Sequence, residues 1–219
     1  VASDGQRLAV ADTANNRVLI WNSIPSNNAR SSDLVLGQET FTAFTAPPRG
    51  IPGQRMRGPQ GVWIQGNQLF VADSGNSRIL IWNNFPTQNF QPADVVLGQA
   101  DFNTYVELDL ARVAIDPKQD NLVNPVSVTS DGQRLIVSDL GQNRVLIWNS
   151  IPTRNAQPAD LVLGQADFTS AVANNSPKVC ESNGIGPDGN PGYPAICNAT
   201  LDFPRYALSD GNRLFIADG

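Results

Sequence analysis

The chain has 219 residues, 41% of them apolar and 16% charged, which is enough to bury a sizeable core and unlike a disordered chain. Its formal net charge of −5, from 20 Asp and Glu against 15 Lys and Arg with no basic run, argues against nucleic acid or an anionic membrane as partner, since both are met by clustered Lys and Arg. With no histidine, the chain lacks the usual general base and the commonest metal ligand, and no apolar stretch approaches the ~18 residues that would suggest membrane insertion.

Eighteen Gly and 16 Pro with little helical periodicity point to many short strands joined by turns, an all-β chain. Near-copies of one string, residues 131–165, open the sequence at Asp4 and recur at Gly66, the mark of repeat architectures. In the first copy the strands fall at Gln6 to Asp12, Arg17 to Asn22 and Asp33 to Gln38, with a turn at Asn15 and Asn16, and a leading strand largely lost. The second copy adds that leading strand at Gly61 to Gln65, followed by strands at Gln68 to Asp73, Arg78 to Asn83 and Asp94 to Gly98. A third unit runs over Pro125 to Ser130, Gln133 to Asp139, Arg144 to Asn149 and Asp160 to Gly164, with Asp131-Gly132 as a tight hairpin. A fourth begins at Phe203 to Ser209 and Arg213 to Asp218. In Val18-Leu19-Ile20-Trp21 the apolar residues are continuous, as in a strand buried on both faces, so the sheets must stack face to face.

Four-stranded antiparallel units with double-sided burial are the design of a β-propeller. The quoted residues resemble the NHL-repeat family: Pro-x-Gly/Ser-Val from Pro59 and Pro125, Leu-x-Val-Ala/Ser-Asp ending at Asp12, Asp73 and Asp139, and Asn/Gln-x-Arg-Val/Ile-Leu-Ile-Trp-Asn around Arg17, Arg78 and Arg144. Asp218 ends the matching strand of the fourth unit. The resemblance implies a six-bladed ring, of which the chain supplies about half, with blades at 1–41, 59–102, 124–168 and 203–219 and insertions at 42–58, 103–123 and 169–202. These units are longer than is usual in the family. Exposed blade faces call for further blades of the same protein or another copy of the chain, and the start at Val1 suggests processing or truncation.

The thrice-repeated Asp/Asn-or-Gln/Arg pattern (Asp12/Asn15/Arg17, Asp73/Asn76/Arg78, Asp139/Gln142/Arg144) reads as structural, the Asp accepting turn amides and pairing with the Arg. Trp21, Trp82 and Trp148 read as fillers of blade interfaces, and Phe41, Phe102 and Phe168 of a recurring Gly-Gln-x-x-Phe as their caps. Trp63 stands in an inner strand where the third unit has Val128, and could face a ligand in an axial channel.

The insertions are blade-to-blade crossings gathered on one face, where rigid scaffolds commonly carry function. They hold Arg49, Arg55 and Arg57, then Glu107, Asp109, Arg112, Asp116 and Asp120, all read first as solvated charge. Asp109 and Asp116 could hold a hard cation such as Ca²⁺, although no cofactor is expected. Cys180 and Cys197 bound a Gly/Pro-rich loop and cannot by themselves complete a zinc site. They are expected to form a disulfide, which implies an oxidising compartment and a secreted or cell-surface protein. Asn174 and Asn198 open glycosylation triplets consistent with that.

With no convergent catalytic set, the leading expectation is a binding scaffold for a protein or glycan, its anchors Arg55, Arg57, Trp63, Tyr105 and Tyr193, since Arg and Tyr dominate binding hot spots. The alternatives are a metal-dependent, lactonase-like hydrolase or lyase with carboxylate ligands, and a purely structural module.

Overall fold

The computed structural model describes residues 1–46, 53–105 and 116–219. Its first sheet is β1 (Ala2–Ser3), β2 (Leu8–Asp12), β3 (Arg17–Trp21) and β4 (Leu34–Leu36), and its second is β5 (Gly61–Gln65), β6 (Gln68–Asp73), β7 (Arg78–Trp82) and β8 (Val95–Leu97). The third is β9 (Pro125–Ser130), β10 (Leu135–Asp139), β11 (Arg144–Trp148) and β12 (Leu161–Leu163). Within the third crossing lie one helical turn, α1 (Ser176–Val179), and a small hairpin, β13 (Gly184–Ile185) with β14 (Pro191–Gly192); β15 (Tyr206–Ser209) and β16 (Leu214–Ala217) form the last sheet. Every pairing within these sheets is antiparallel and runs in chain order, so the protein is all-β with repeated four-stranded sheets.

The sheets stack in a row, with β5 beside β1 and β2, β9 beside β5 and β6, and β15 beside β9 and β10. Alternate residues of each third strand explain this stacking. Val18 and Ile20 bury toward the second sheet, against Leu80 and Trp82, while Ile79 and Ile81 bury toward the third, against Leu146 and Trp148. Val145 and Ile147 then face Ala207, Leu214 and Ile216. Each such side chain removed from water contributes about 1.5–3 kcal/mol, so the unbroken Val-Leu-Ile-Trp run is two alternating faces superposed.

Between second and third strands a 3-10 turn ends in a left-handed residue, Asn16, Ser77 or Asn143, with φ of 56°, 54° and 50°. Each outer strand ends at a glycine that bridges to the incoming crossing, Gly37 to Arg55, Gly98 to Asn121 and Gly164 to Thr200. Gly98 and Gly164 combine positive φ (84° and 87°) with no space, since an added Cβ would sit 2.7 Å from Leu122 and 2.8 Å from Leu201. Only glycine meets both demands.

Register corrects one alignment made from sequence. Trp63 pairs with Phe70 and Val128 with Val137, which makes Thr129, opposite Ile136, the counterpart of Trp63, not Val128. The motif Pro59-Gln60-Gly61-Val62 against Pro125-Val126-Ser127-Val128 gives the same answer, Val62 matching Val128, and a one-residue slip such as the earlier pairing moves a side chain to the other face. The lost leading strand of the first copy survives as the two residues of β1.

Candidate functional site

At the end of each four-stranded sheet where the crossings run, Asp and Arg form a clamp. Asp73 Oδ2 accepts from Arg78 Nε at 2.8 Å and from Asn76 Nδ2 at 2.9 Å, and its Oδ1 accepts the backbone amide of Arg57, sixteen residues earlier, at 2.7 Å. Asp139 takes Arg144 Nε at 2.9 Å and the Val123 amide at 2.7 Å, and Asp218 takes the Asp202 amide at 2.8 Å, each amide again sixteen residues upstream. The Arg is a staple. Its Nη1 donates to the carbonyl of Phe41, Phe102 or Phe168 in the departing loop, 24 residues on, and its Nη2 donates to Arg55 or Asn121 in the arriving one, 23 residues back. A planar fork with several fixed donors suits this task, and lysine has no equivalent.

Arg78 with Asp73 and Arg144 with Asp139 are sealed, at 0–2% side-chain exposure, whereas Arg17 and Asp12 keep 16% and 25%. Burial penalises charge at Asp139 and pushes its carboxyl up to about 6, against the opposing pull of the Arg144 guanidinium and the Val123 amide.

These clamps fix the crossings at their roots. In the third crossing Gln165 Nε2 donates to the carbonyls of Asn143 and Val172, both at 2.9 Å, and Asn175 Nδ2 reaches Gln165 Oε1 at 3.1 Å. The Asn174 amide bonds the Leu201 carbonyl at 3.0 Å, and Ser176 Oγ donates to the Pro194 carbonyl. Cys180 and Cys197 are joined, S–S 2.07 Å. Above this base the Asn183 amide donates to Gly192 at 3.0 Å and the Gly186 amide to Asn190 at 2.8 Å, extending the β13–β14 pairing. Ile185, Ile196 and Tyr193 stand out from it at 73%, 65% and 37% exposure. At the tip the Asn190 side chain and then its amide hold the Asp188 carboxyl below its ordinary value. A groove of about 350 Å³ lies beside the base, between Val162, Gln165, Val179, Thr200, Leu201 and Ile216.

The other expected anchors disperse. Arg55 is tied to Glu39 and lies over the Phe90 ring, 5.2 Å from its centroid, and its carbonyl and the Arg57 backbone serve the Asp73–Arg78 clamp. Trp63 packs half-buried between the second and third sheets, its Nε1 3.4 Å from Gln65 Oε1. Tyr105 is exposed. Arg55, Arg57, Trp63 and Tyr193 make no bond with one another among the described residues. Arg49, Glu107, Asp109 and Arg112 lie outside those residues, and with them half of the expected Asp109–Asp116 cation pair. Asp116 lends its carbonyl to Asn121 Nδ2 at 2.9 Å, and Asp120 borders a small groove beside Lys118 and Asn121. No cluster of three or more His, Cys, Asp or Glu suited to a metal occurs among the described residues, and none of their helices is long and apolar enough to cross a membrane.

Trp82 and Trp148 fill sheet interfaces, but Trp21 is half-exposed. Phe102 and Phe168 pack on the first and second core clusters, whereas Phe41 is exposed. Both exceptions lie on the first sheet, whose far face is bare.

Sequence reasoning missed a second set of ties, made by the connector between third and fourth strands. Asn89 Oδ1 accepts the Val35 amide at 3.0 Å while the Phe90 amide donates to the Val35 carbonyl at 2.8 Å. Asn155 and Ala156 hold Val96 in the same way, at 3.0 and 2.9 Å. Each connector thus reaches back and blocks the exposed edge of the preceding sheet, a hazard that β-proteins must cover. The available signal was an Asn seven residues after each third-strand Trp. No model of a known protein family matches the chain, and no curated protein matches it.

Proposed function

We propose that the sheets are blades of a secreted or cell-surface β-propeller of NHL type, and that the protein is a binding scaffold. Its ring is completed by further blades of the same protein or by another copy. The recognition element is the third crossing, and the observation that carries this reading is the exposure of Ile185, Ile196 and Tyr193 on a loop whose base is closed by the Cys180–Cys197 disulfide. Exposed apolar side chains cost little in a loop already ordered, because preorganisation spares the entropy that binding would otherwise consume. Tyr beside aliphatic groups is the composition of an interface centre, so the partner is a protein surface in preference to a glycan. The disulfide fits an oxidising compartment.

The test is an array of extracellular proteins and glycans probed with the wild-type chain and with a triple variant, Ile185→Ser, Tyr193→Ala and Ile196→Ser, whose circular dichroism matches the wild type. Hits should weaken at least tenfold in the variant. Hits that persist unchanged, or that vanish instead on substituting the exposed Ile24 at the opposite end, would place recognition elsewhere.

A further inference from the structure

The β13–β14 hairpin holds the chain's only Asn-Gly pair, Asn183-Gly184, and every other asparagine is followed by a residue that carries a Cβ. The backbone nitrogen after an asparagine can close a five-membered ring on the side-chain amide carbon, one reason why asparagine is thermolabile. A following Cβ crowds that approach, and glycine leaves it clear. At Gly184 the space is open in fact, since φ is 126° and an added Cβ would meet nothing within 4 Å. Both residues are exposed to water.

The reacting atoms are also loosely held. The Gly184 amide has one weak tie, to Ser182 Oγ at 3.3 Å, and Asn183 Nδ2 makes no hydrogen bond among the described residues. Neither the nucleophile nor the leaving group must first give up a strong partner. Two asparagines that precede serine are the opposite case. Asn76 Nδ2 is bonded to Asp73 at 2.9 Å, and Asn175 Nδ2 to Gln165 and Ser170 at 3.1 and 2.9 Å, so those amides cannot leave without undoing a clamp or the root of the third crossing. β13 and β14 have only two residues each, and a lone two-stranded hairpin is marginal in water, which lets the backbone at Asn183 turn as ring closure requires.

We propose that Asn183 is a site of spontaneous deamidation, with water as the only co-reactant. The Gly184 nitrogen gives up its proton to solvent base and bonds to Asn183 Cγ. The Cγ–Nδ2 bond then breaks, and the nitrogen takes a proton from water and leaves as ammonia. Water opens the resulting cyclic imide at one of its two carbonyls. Opening at Cγ gives aspartate at position 183; opening at the main-chain carbonyl gives isoaspartate, whose backbone runs through Cβ and Cγ and is longer by one carbon. A longer backbone there shifts the Gly184–Gly192 and Ile185–Pro191 pairing out of register, while the Cys180–Cys197 bond keeps the ends of the loop together. The hairpin thus loses its order with age and the sheets keep theirs. This chemistry does not depend on the hairpin being the recognition element.

The test incubates the intact, oxidised chain in mildly alkaline Tris buffer at physiological temperature. It follows ammonia release, peptide mass, and isoaspartate by enzymatic methyl transfer to the isoaspartyl carboxyl. Asn183 should convert at least tenfold faster than any other asparagine, and Asn183→Gln, which would have to close a larger ring, should abolish the fast ammonia. In the aged protein the NMR amide signals of Gly184 and Ile185 should collapse toward unpaired positions. Asn183→Asp, with the new charge on a normal backbone, should keep them in place. Conversion of Asn183 no faster than that of Asn22 or Asn149, which are exposed and precede serine, would overturn the proposal. So would ammonia release untouched by Asn183→Gln, or a rate that rises at least tenfold when the chain is unfolded in urea, which would mean that the hairpin shields the site.

Discussion

The Asp–Arg clamps of the first and third sheets use the same residues at the same spacing, with Nε to Oδ2 distances of 2.7 and 2.9 Å, and yet they differ in what surrounds them. Arg144 and Asp139 are covered by crossings on both sides, whereas Arg17 and Asp12 meet a crossing on one side only and remain partly wet. The pair itself is therefore a constant of the local sequence, and its energetic weight is set by the neighbouring sheet. Removing one partner of a buried pair strands the other charge and costs about 3–5 kcal/mol; a surface pair is worth about 0–1 kcal/mol, and the partly buried Arg17–Asp12 pair lies between these limits. Arg144→Ala should accordingly destabilise the protein by about 3–5 kcal/mol at pH 7, and Arg17→Ala by clearly less, both read from urea midpoints. Equal losses at the two positions would mean that the clamp acts within its own sheet and not through the crossings it staples.

The same contrast was half legible in the sequence. Continuous apolar third strands disclosed double-sided burial, and the Asp–Arg spacing disclosed a paired turn, because both are consequences of neighbours along the chain. That Asp73 and Asp139 also receive the amides of Arg57 and Val123 could not be read, since the donor is backbone and any residue provides it. For the same reason Arg55 and Arg57 attracted attention as charged side chains, while it is their main-chain groups that the Asp73–Arg78 clamp takes. Trp63 was matched one residue out of step, although the ungapped string from Pro59 and from Pro125 already places it against Thr129. The cysteine pair was legible from count and spacing, but the hairpin it supports arises from Ser182, Asn183 and Asn190 bonding locally within a string rich in glycine and proline.

A pH titration sharpens the comparison with an effect of at most about 1.4 kcal/mol per pH unit for one proton. Burial raises Asp139 above its unfolded value of 3.8 to about 6, so the folded chain retains a proton that the unfolded chain gives up. The associated stability is full below about pH 4 and is lost as pH rises through about 6. Exposed Asp33, held low by the Asn22 amide, and Asp210, held low by the amides of Arg213 and Asn212, have the opposite sign, with stability present above the ordinary carboxylate value and lost as pH falls below it. Carbonyl ¹³C shifts should show the Asp139 carboxyl titrating near 6 and those of Asp33 and Asp210 below 3.8. An Asp139 that titrates with the exposed groups would show that Arg144 and Val123 outweigh desolvation.

The smallest expected difference concerns the connectors. Asn155 Oδ1 holds the Val96 amide on a strand edge that is otherwise buried, so Asn155→Ala removes an acceptor and leaves a buried donor, at about 1–3 kcal/mol. Asn28 makes no such bond among the described residues, and Asn28→Ala should stay within about 0.5 kcal/mol, as surface substitutions away from special features do. The two residues hold the same position, seven after Trp148 and Trp21 and each followed by Ala, in connectors closed by the same Trp and Asp bonds. The local preference of the Asn-Ala corner is therefore shared, and the main difference beyond Gln157-Pro158-Ala159 against Arg30-Ser31-Ser32 is the presence or absence of a strand beside the Asn. Hydrogen exchange offers the complementary reading: the Val96 amide should lose protection in Asn155→Ala while the Val35 amide, held by Asn89, keeps it. If Asn28→Ala destabilised the isolated chain as much as Asn155→Ala, the Asn would be shaping its own loop, and the edge strand would be incidental to its role.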